Sequence, residues 1–439
     1  MSNANTATAE QMQELLEELF PIYRSITGAG NRATLDILSR VVPIKQIEYA
    51  SGDSVFDWVV PDEYSVRDAW IKNSKGEKVV DFKANNLHLV GYSQPVTAEM
   101  SFAELEPRLF YSAELPDSIP YRTYYYKRDW GFCLTLEQYE KLKEEQGLLQ
   151  VYIDSSFDSD GSMVVGELLI EGASKKEVLI STYICHPSMA NDNLSGPIVA
   201  TYLAKCLQER ECLQYSYRFI YVPETIGAIA YSAKNTDALR HIDIGFILTT
   251  MGGPGSLGFK ESWNQSFWIN EFVADKLRAH DESFKRYKFD PHGSDERQYS
   301  TPGFRINCPV ISKDKFYEYE FYHTSKDDLN YVNGANLEQS YAAVKDIVLS
   351  IDELRFYKTL NPFCEVMLSK HDLYPKTGGA YRPDDSSMSD LDLILWLMHL
   401  CDGQMPLEKI AERLDVSVKR LESLALVLVE NDLLSLENG

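Results

Sequence analysis

Two histidines and a set of carboxylates stand where loops leave stretches that read as β-strands. His186 follows the apolar run 178–184, and Asp192 comes six residues later at the opening of a helical stretch. Glu224 directly follows the run 217–222. Asp295 and Glu296 lie in Gly293-Ser294-Asp295-Glu296-Arg297, and His323 lies in Tyr322-His323-Thr324-Ser325, ahead of Asp327 and Asp328. Open α/β sheets place their sites at such strand exits. Two imidazoles and one carboxylate are the usual shell of a catalytic zinc, with one position left for water. The metal lowers the pKa of that water toward neutrality, and a separate carboxylate takes its proton. His186, Asp192 and His323 are therefore expected to hold one zinc per chain, and Glu224 to act as general base or, with a single metal, to join the ligands. Singly, each has a plainer reading, as a packed histidine or, for Asp192, a helix cap. Together at the exits of one sheet, they point to chemistry.

The elements that must position these residues alternate from about residue 178. Strand-like runs at 178–184, 217–222 and 244–249 are separated by helical stretches at 196–208 and 227–235. This alternation predicts an α/β domain with a mostly parallel sheet. A helix over 335–357 is expected to close it. Ahead of it, 9–23 carries Met12, Leu15, Leu16, Leu19 and Phe20 at helical spacing, and a second amphipathic stretch covers 31–42. From about Phe56 the pattern turns to short strands, turn residues and dense aromatics, which predicts a small β-rich unit of roughly 100 residues. The tail holds three helical stretches, at 389–401, 407–414 and 416–430. They are arranged as a helix-turn-helix with a short wing at 431–436.

Composition narrows the function classes. The chain has 439 residues, 43 Lys+Arg against 66 Asp+Glu, and a formal charge of −23. Hydrophobic residues at 44% and charged residues at 25% are globular values, so wholesale disorder is excluded. Such an acidic balance argues against a general affinity for nucleic acid or anionic membranes. In the tail, from Asp385 to Gly439, eleven acids face four bases, so its helix-turn-helix is expected to contact protein or a second copy rather than DNA. The first ten residues are small and polar, no apolar run approaches the ~20 residues of a membrane span, and seven scattered cysteines form no C-x-x-C pair. A soluble cytoplasmic protein with reduced thiols is expected.

The order of the motifs resembles the M28-type zinc aminopeptidases. There a His loop precedes a D-N-x-S-G helix start, matched here by Asp192-Asn193-Leu194-Ser195-Gly196. Glu-Glu-x-Gly corresponds to Glu224-Thr225-Ile226-Gly227, Ser-Asp-His to Ser294-Asp295-Glu296, and Tyr-His-Thr to Tyr322-His323-Thr324. Over nearly its full length the chain is similar to the DUF4910 aminopeptidase-like proteins. The resemblance implies a zinc-exopeptidase-like α/β domain with a parallel or mixed sheet and helices on both faces, split between 1–57 and 156–360. It also implies a small β-rich insert (DUF2172) at 58–155 and a winged helix-turn-helix at 361–439. The insert's resemblance rests on Trp58 to Pro61, the segment Asn86-Leu87-His88-Leu89, Tyr92-Ser93 and Trp130-Gly131-Phe132-Cys133. Because of where it lies in the family, the insert is expected to form a lid over the site.

The departures are informative. The second Glu of Glu-Glu, a ligand in two-zinc enzymes, is Thr225, and the Asp of Asp-Met-x-Gly is Thr250. His-x-Asp becomes His186-Pro187-Ser188, without the carboxylate that would orient the metal site. One zinc is thus expected rather than two. Asp295 matches a substrate-pocket Asp, and Glu296 adds a second acid, so both are expected to bind a cationic group such as a free amine. The leading expectation is an amide or peptide-bond hydrolase of aminopeptidase or deacylase type acting on a small or short peptide-like substrate. The alternatives are a non-catalytic binding protein with a degenerate pocket, and transfer or cyclisation of the glutaminyl cyclase kind.

Overall fold

The computed structural model describes residues 2–374 and 388–437. Contacts divide the chain into two compact units. The first comprises Met1–Ile170, Glu177–Glu211 and Tyr217–Asp346; the second comprises Glu171–Lys176, Cys212–Ser216 and Ile347–Gly439.

The first unit is built on an eight-stranded mixed sheet. Its strands lie in the order Lys45–Ala50, Ser162–Ile170, Ser216–Val222, Glu177–Tyr183, Ile244–Leu248, Val310–Ser312, Gly258–Lys260 and Lys285–Tyr287. The strands at Glu177, Ile244 and Val310 run parallel, and the two at the Lys45 edge are antiparallel to their neighbours. All seven residues of Ser216–Val222 and all five of Ile244–Leu248 are buried, as expected of strands covered on both faces. The strand Ser162–Ile170 accommodates Gly166 because a Cβ there would meet Leu35 at 2.6 Å and Ile44 at 2.8 Å. That close approach lets the helix Ala29–Leu38 sit directly on the sheet.

Arg218 ties these strands together. Its Nε lies 2.5 Å from Glu177 and its Nη1 2.6 Å from Glu167, with 10% of the side chain exposed. Removing the cation leaves two largely buried carboxylates facing each other. Arg218→Met is expected to cost about 3–5 kcal/mol, read as a lowered urea midpoint.

Within the first unit the β-rich stretch forms its own four-stranded antiparallel sheet, in the order Lys78–Asp81, Glu63–Lys72, Leu149–Asp158 and Val96–Met100. Phe132, Leu134, Ile71, Val151 and Trp130 bury its core, and the helix Leu136–Lys143 starts on a capping box of Thr135 and Gln138.

The helix expected over 335–357 spans Gly334–Asp352 and stops short. Asp352 turns its carboxylate onto the backbone amides of Gln214 and Tyr215. The aromatic pair Phe356 and Tyr357 then enters a strand, Phe356–Thr359, because both rings bury there. This strand lies between Asp402–Pro406 and Leu434–Leu436 in a three-stranded sheet. The helices Asp390–Leu400, Leu407–Arg413 and Val418–Glu430 complete a winged helix-turn-helix, with Leu397, Leu407, Leu421 and Leu428 fully buried among them. Ser389 and Ser417 cap the first and third of these helices. Among the described residues no helix is long and apolar enough to cross a membrane.

Candidate active site

Neighbouring strands of the sheet deliver the site. The strand Glu177–Tyr183 ends three residues before His186, and Ser216–Val222 ends two residues before Glu224. The two loops meet, with His186 Nε2 at 4.0 Å from Glu224 Oε2. Asp192 lies in the irregular turn Ala190–Leu194 that opens the helix Ser195–Gln208. His323 arrives from the far segment at φ 56. Its Nε2 is 3.0 Å from Asp192 Oδ2, and one donor atom from each of His186, Asp192 and His323 falls within 4.8 Å of the others.

Several groups hold these three candidate ligands in place, and most were not singled out in the sequence. Asp327, fully buried, accepts the backbone N–H groups of Asn191 at 2.6 Å and Asp192 at 2.9 Å, and the Tyr319 hydroxyl as well. It lies four residues beyond His323, so one short segment carries one ligand and grips the loop of another. Tyr183 donates its hydroxyl to Asp192 Oδ1 at 2.5 Å. Arg24, 1% exposed, donates from Nε to the His186 carbonyl and from Nη1 to that of Leu19, both at 2.8 Å. Burial pushes the His186 imidazole down to about 4, which keeps it neutral with a lone pair to give. Burial works the other way on Asp192, but the two imidazoles and Tyr183 outweigh it and hold that carboxyl down at about 2.

Around Glu224 the chain is strained and well gripped. Thr225 adopts φ 66 and ψ −77, an uncommon conformation for a β-branched residue. Its N–H donates to Asp295 Oδ1 at 2.8 Å, its Oγ1 accepts from Arg297 Nη2 at 3.0 Å, and the Glu224 N–H points at Cys185 Sγ. Burial first, then the nearby Asp295 and Asp192 carboxylates, hold Glu224 well above the usual carboxylate range.

A cavity of about 410 Å³ opens on this cluster. His186, Glu224, Arg297 and His323 line it, together with Tyr322, Tyr317 and Phe316. Three aromatics of the β-rich stretch, Trp58, Tyr125 and Tyr126, complete the wall, with Trp58 edge-on to Tyr126. The tryptophans of that stretch have separate uses: Trp130 is core, Trp70 stacks on Tyr152, and Trp58, 40% exposed, faces the cavity. Asp295 and Glu296 do not line it. Glu296 is fully buried and paired to Lys260 at 2.7 Å through Oε1, and Asp295 accepts the Thr225 N–H on Oδ1, while the second oxygen of each is enclosed without a hydrogen-bond partner. The two acids expected to face the substrate are enclosed in the protein instead, and the charged residue that reaches the cavity from their segment is Arg297.

Tyr121 is a further residue that the sequence did not mark out. Its ring centroid is 5.2 Å from that of His186 and 5.1 Å from that of His323. Its N–H donates to the His323 carbonyl at 2.8 Å, and Ser325 N–H donates to the Ile119 carbonyl. The β-rich stretch therefore backs the ligands through main-chain hydrogen bonds as well as walling the cavity.

The ligand atoms fit a zinc ion. Asp192 Oδ2 and His323 Nε2 are buried, 3.0 Å apart and have no other polar partner, so both atoms are free to turn to a shared ion. Two ring nitrogens and a carboxylate oxygen are a zinc donor set.

A family model described as a domain of unknown function, DUF4910, matches residues 13–353. The chain belongs to the DUF4910 family. A winged helix-turn-helix model covers residues 355–436 of this DUF4910 protein. It is 41% identical, over 98% of both chains, to a protein of Clostridium acetobutylicum described as "Putative polysaccharide biosynthesis protein with aminopeptidase-like domain". A crystal structure titled "putative peptidase" from the same organism superposes with a TM-score of 0.80 at 39% identity, covering 98% of this chain and 97% of that one. A zinc aminopeptidase of Bacillus subtilis superposes with a TM-score of 0.59 at 13% identity, covering 79% and 95%, and shares the fold. The DUF4910 protein is thus a peptidase-like α/β protein with a C-terminal winged helix.

Its two threonine departures have defined surroundings. Thr225 Oγ1 is taken by Arg297, and Thr250 is buried at φ 49 with no partner for Oγ1. The grip of Asp327 on the ligand loop carries a measurable weight. Asp327→Ala is expected to weaken zinc binding 10–100-fold, as removal of a group supporting a metal ligand does, in competition with a chromophoric chelator. Asp327→Asn should lie between the two, because an amide oxygen can accept only one side of the pair.

Proposed function

We propose that this protein hydrolyses an amide or peptide bond in a small, amine-bearing substrate, in the manner of an aminopeptidase or deacylase. His186, Asp192 and His323 hold one zinc per chain, and Glu224 is the general base. The observation that carries this is the convergence of two imidazoles and a carboxylate, with unpartnered buried atoms 3.0 Å apart, beside Glu224 at the end of a cavity. Zinc bound there supplies a Lewis acid that polarises the amide carbonyl and makes water acidic near neutral pH.

The chain's own groups do the rest. Glu224 takes a proton from the attacking water and returns it to the leaving amine. Its raised proton affinity suits a group that must hold that proton between the two events. Tyr183 occupies Asp192 Oδ1, so Asp192 has one oxygen left for a cation, which favours a single metal. Trp58, Tyr125 and Tyr126 act as a lid that keeps bulk water from the reacting bond. Asp295 positions Thr225, and through it Glu224, and does not touch substrate.

The description of the Clostridium relative favours a small biosynthetic intermediate over a protein as substrate. The winged helix, with four bases against eleven acids from Asp385 onward, serves protein contact or self-association. All seven cysteines are free, in keeping with a reducing cytoplasm.

The test is zinc content by plasma mass spectrometry, followed by an amide panel of aminoacyl anilides and N-acylated amino sugars. About one zinc per chain and turnover of one class support the proposal. No zinc after reconstitution overturns it, and two per chain overturns the single-metal site.

A further inference from the structure

We propose that Arg297 recognises a carboxylate on the substrate, so that the amide this cavity accepts is one whose far end is an acid. The assignment deepens the amide-hydrolase function above and rests on it for the reacting bond alone. Four residues with ionisable imidazole, carboxyl or guanidinium groups line the cavity: His186, Glu224, His323 and Arg297. The first three belong to the metal and the proton; Arg297 is the charge left over.

No carboxylate lies within ion-pair distance of Arg297 among the described residues. The acids beside it in sequence are engaged elsewhere, Glu296 with Lys260 at 2.7 Å and Asp295 with the Thr225 N–H at 2.8 Å. One of its own donors, Nη2, is used on Thr225 Oγ1 at 3.0 Å, and Nε is enclosed without an acceptor. Nη1 has no hydrogen-bond partner among the described residues and is not enclosed. Glu224, Asp295 and Glu296 feel its charge at longer range but none pairs with it directly, so the half-buried guanidinium has no hydrogen-bonded carboxylate until one arrives with the substrate. The planar fork matches a carboxylate in shape and charge, and such charge-assisted bonds are about twice as strong as neutral ones. The same cavity is walled by aromatics, among them Tyr125, Phe316 and Tyr322, which suit the apolar linker of such a substrate.

The experiment titrates the zinc-loaded full chain by calorimetry with straight-chain hydroxamates of three to six carbons. Each is used with a terminal carboxylate and as the matched terminal carboxamide. The hydroxamate reports the metal, and the acid–amide difference reports Arg297. The expected result is that at least one acid binds about tenfold or more tightly than its amide in wild type. That preference should vanish in Arg297→Met, persist in part in Arg297→Lys, and survive in Thr225→Val, which removes only the Arg297–Thr225 bond. Equal binding of acids and amides at every length, or a preference that survives in Arg297→Met, overturns the assignment. If no hydroxamate binds, the zinc reading has failed. Metal-free protein titrated with benzoate against benzamide by ligand-observed NMR then decides Arg297 independently. Benzoate selectivity lost in Arg297→Met supports it, and absence of selectivity overturns it.

Discussion

Glu224→Gln is expected to keep about one zinc per chain while amide turnover falls by about 10²–10⁴-fold, the usual worth of a positioned acid–base group. The substitution preserves shape and the backbone bond to Cys185, so the Thr225 corner remains in place. It removes only the ability to take a proton and give it back. Because Glu224 lies 4.0 Å from a ligand atom, the same variant separates its two candidate roles. As a base it leaves zinc affinity nearly unchanged. As a ligand it loosens zinc measurably, and activity is recovered in part by raising zinc concentration. Metal content and single-turnover rates on one preparation read both quantities. Full activity in Glu224→Gln would sink the general-base assignment.

His186→Ala and His323→Ala are each expected to abolish zinc retention, and turnover with it. The cause is geometric: the proposed site has three protein donors, and two would not hold the ion against a buffer chelator. A stability effect accompanies the loss. Zinc that binds only the folded chain adds about 4 kcal/mol when free zinc is a thousandfold above its dissociation constant. Wild type should therefore show a urea midpoint that rises with added zinc, and both alanine variants a midpoint that does not. A zinc-dependent midpoint in His323→Ala would mean that other residues complete the site.

His186, Asp192 and Glu224 were visible in the sequence because each follows a strand end or opens a helix, and those boundaries are local signals; His323 lies eleven residues past the strand Val310–Ser312 and was marked by its Tyr-His-Thr motif. His186 and Glu224 sit directly after runs of buried apolar residues, and the patterns at 178–184 and 217–222 leave little freedom in where the loops begin. The roles of Asp327, Tyr121 and Arg24 were invisible for the opposite reason. Their importance lies in partners 135, 202 and 162 residues away, and no period or spacing encodes that. In the sequence Asp295 and Glu296 look like free acids, because Lys260, which pairs with Glu296, lies 36 residues earlier on a three-residue strand that gives no pattern. The strand Ser162–Ile170 was missed because it joins the sheet antiparallel, outside the strand–helix alternation, and a glycine interrupts its apolar run. At 356–359 the aromatic pair suited either the end of a helix or a strand, and only the distant partners at Asp402–Pro406 and Leu434–Leu436 decide between them.

The hydrogen bond from the Tyr121 amide to the His323 carbonyl, with the Ser325–Ile119 bond beside it, makes the β-rich stretch part of the scaffold of the site. A lid hinged as a rigid body would have to break these bonds and displace His323 with it, so the wall that carries Trp58 and Tyr126 is tied to the site rather than hinged over it. Engineering follows the same logic. Trimming residues 58–155 to obtain a minimal hydrolase would remove one wall of the cavity and the support of a ligand together. Grafting new specificity onto the rim aromatics, by contrast, leaves the 119–121 backbone and everything it holds untouched.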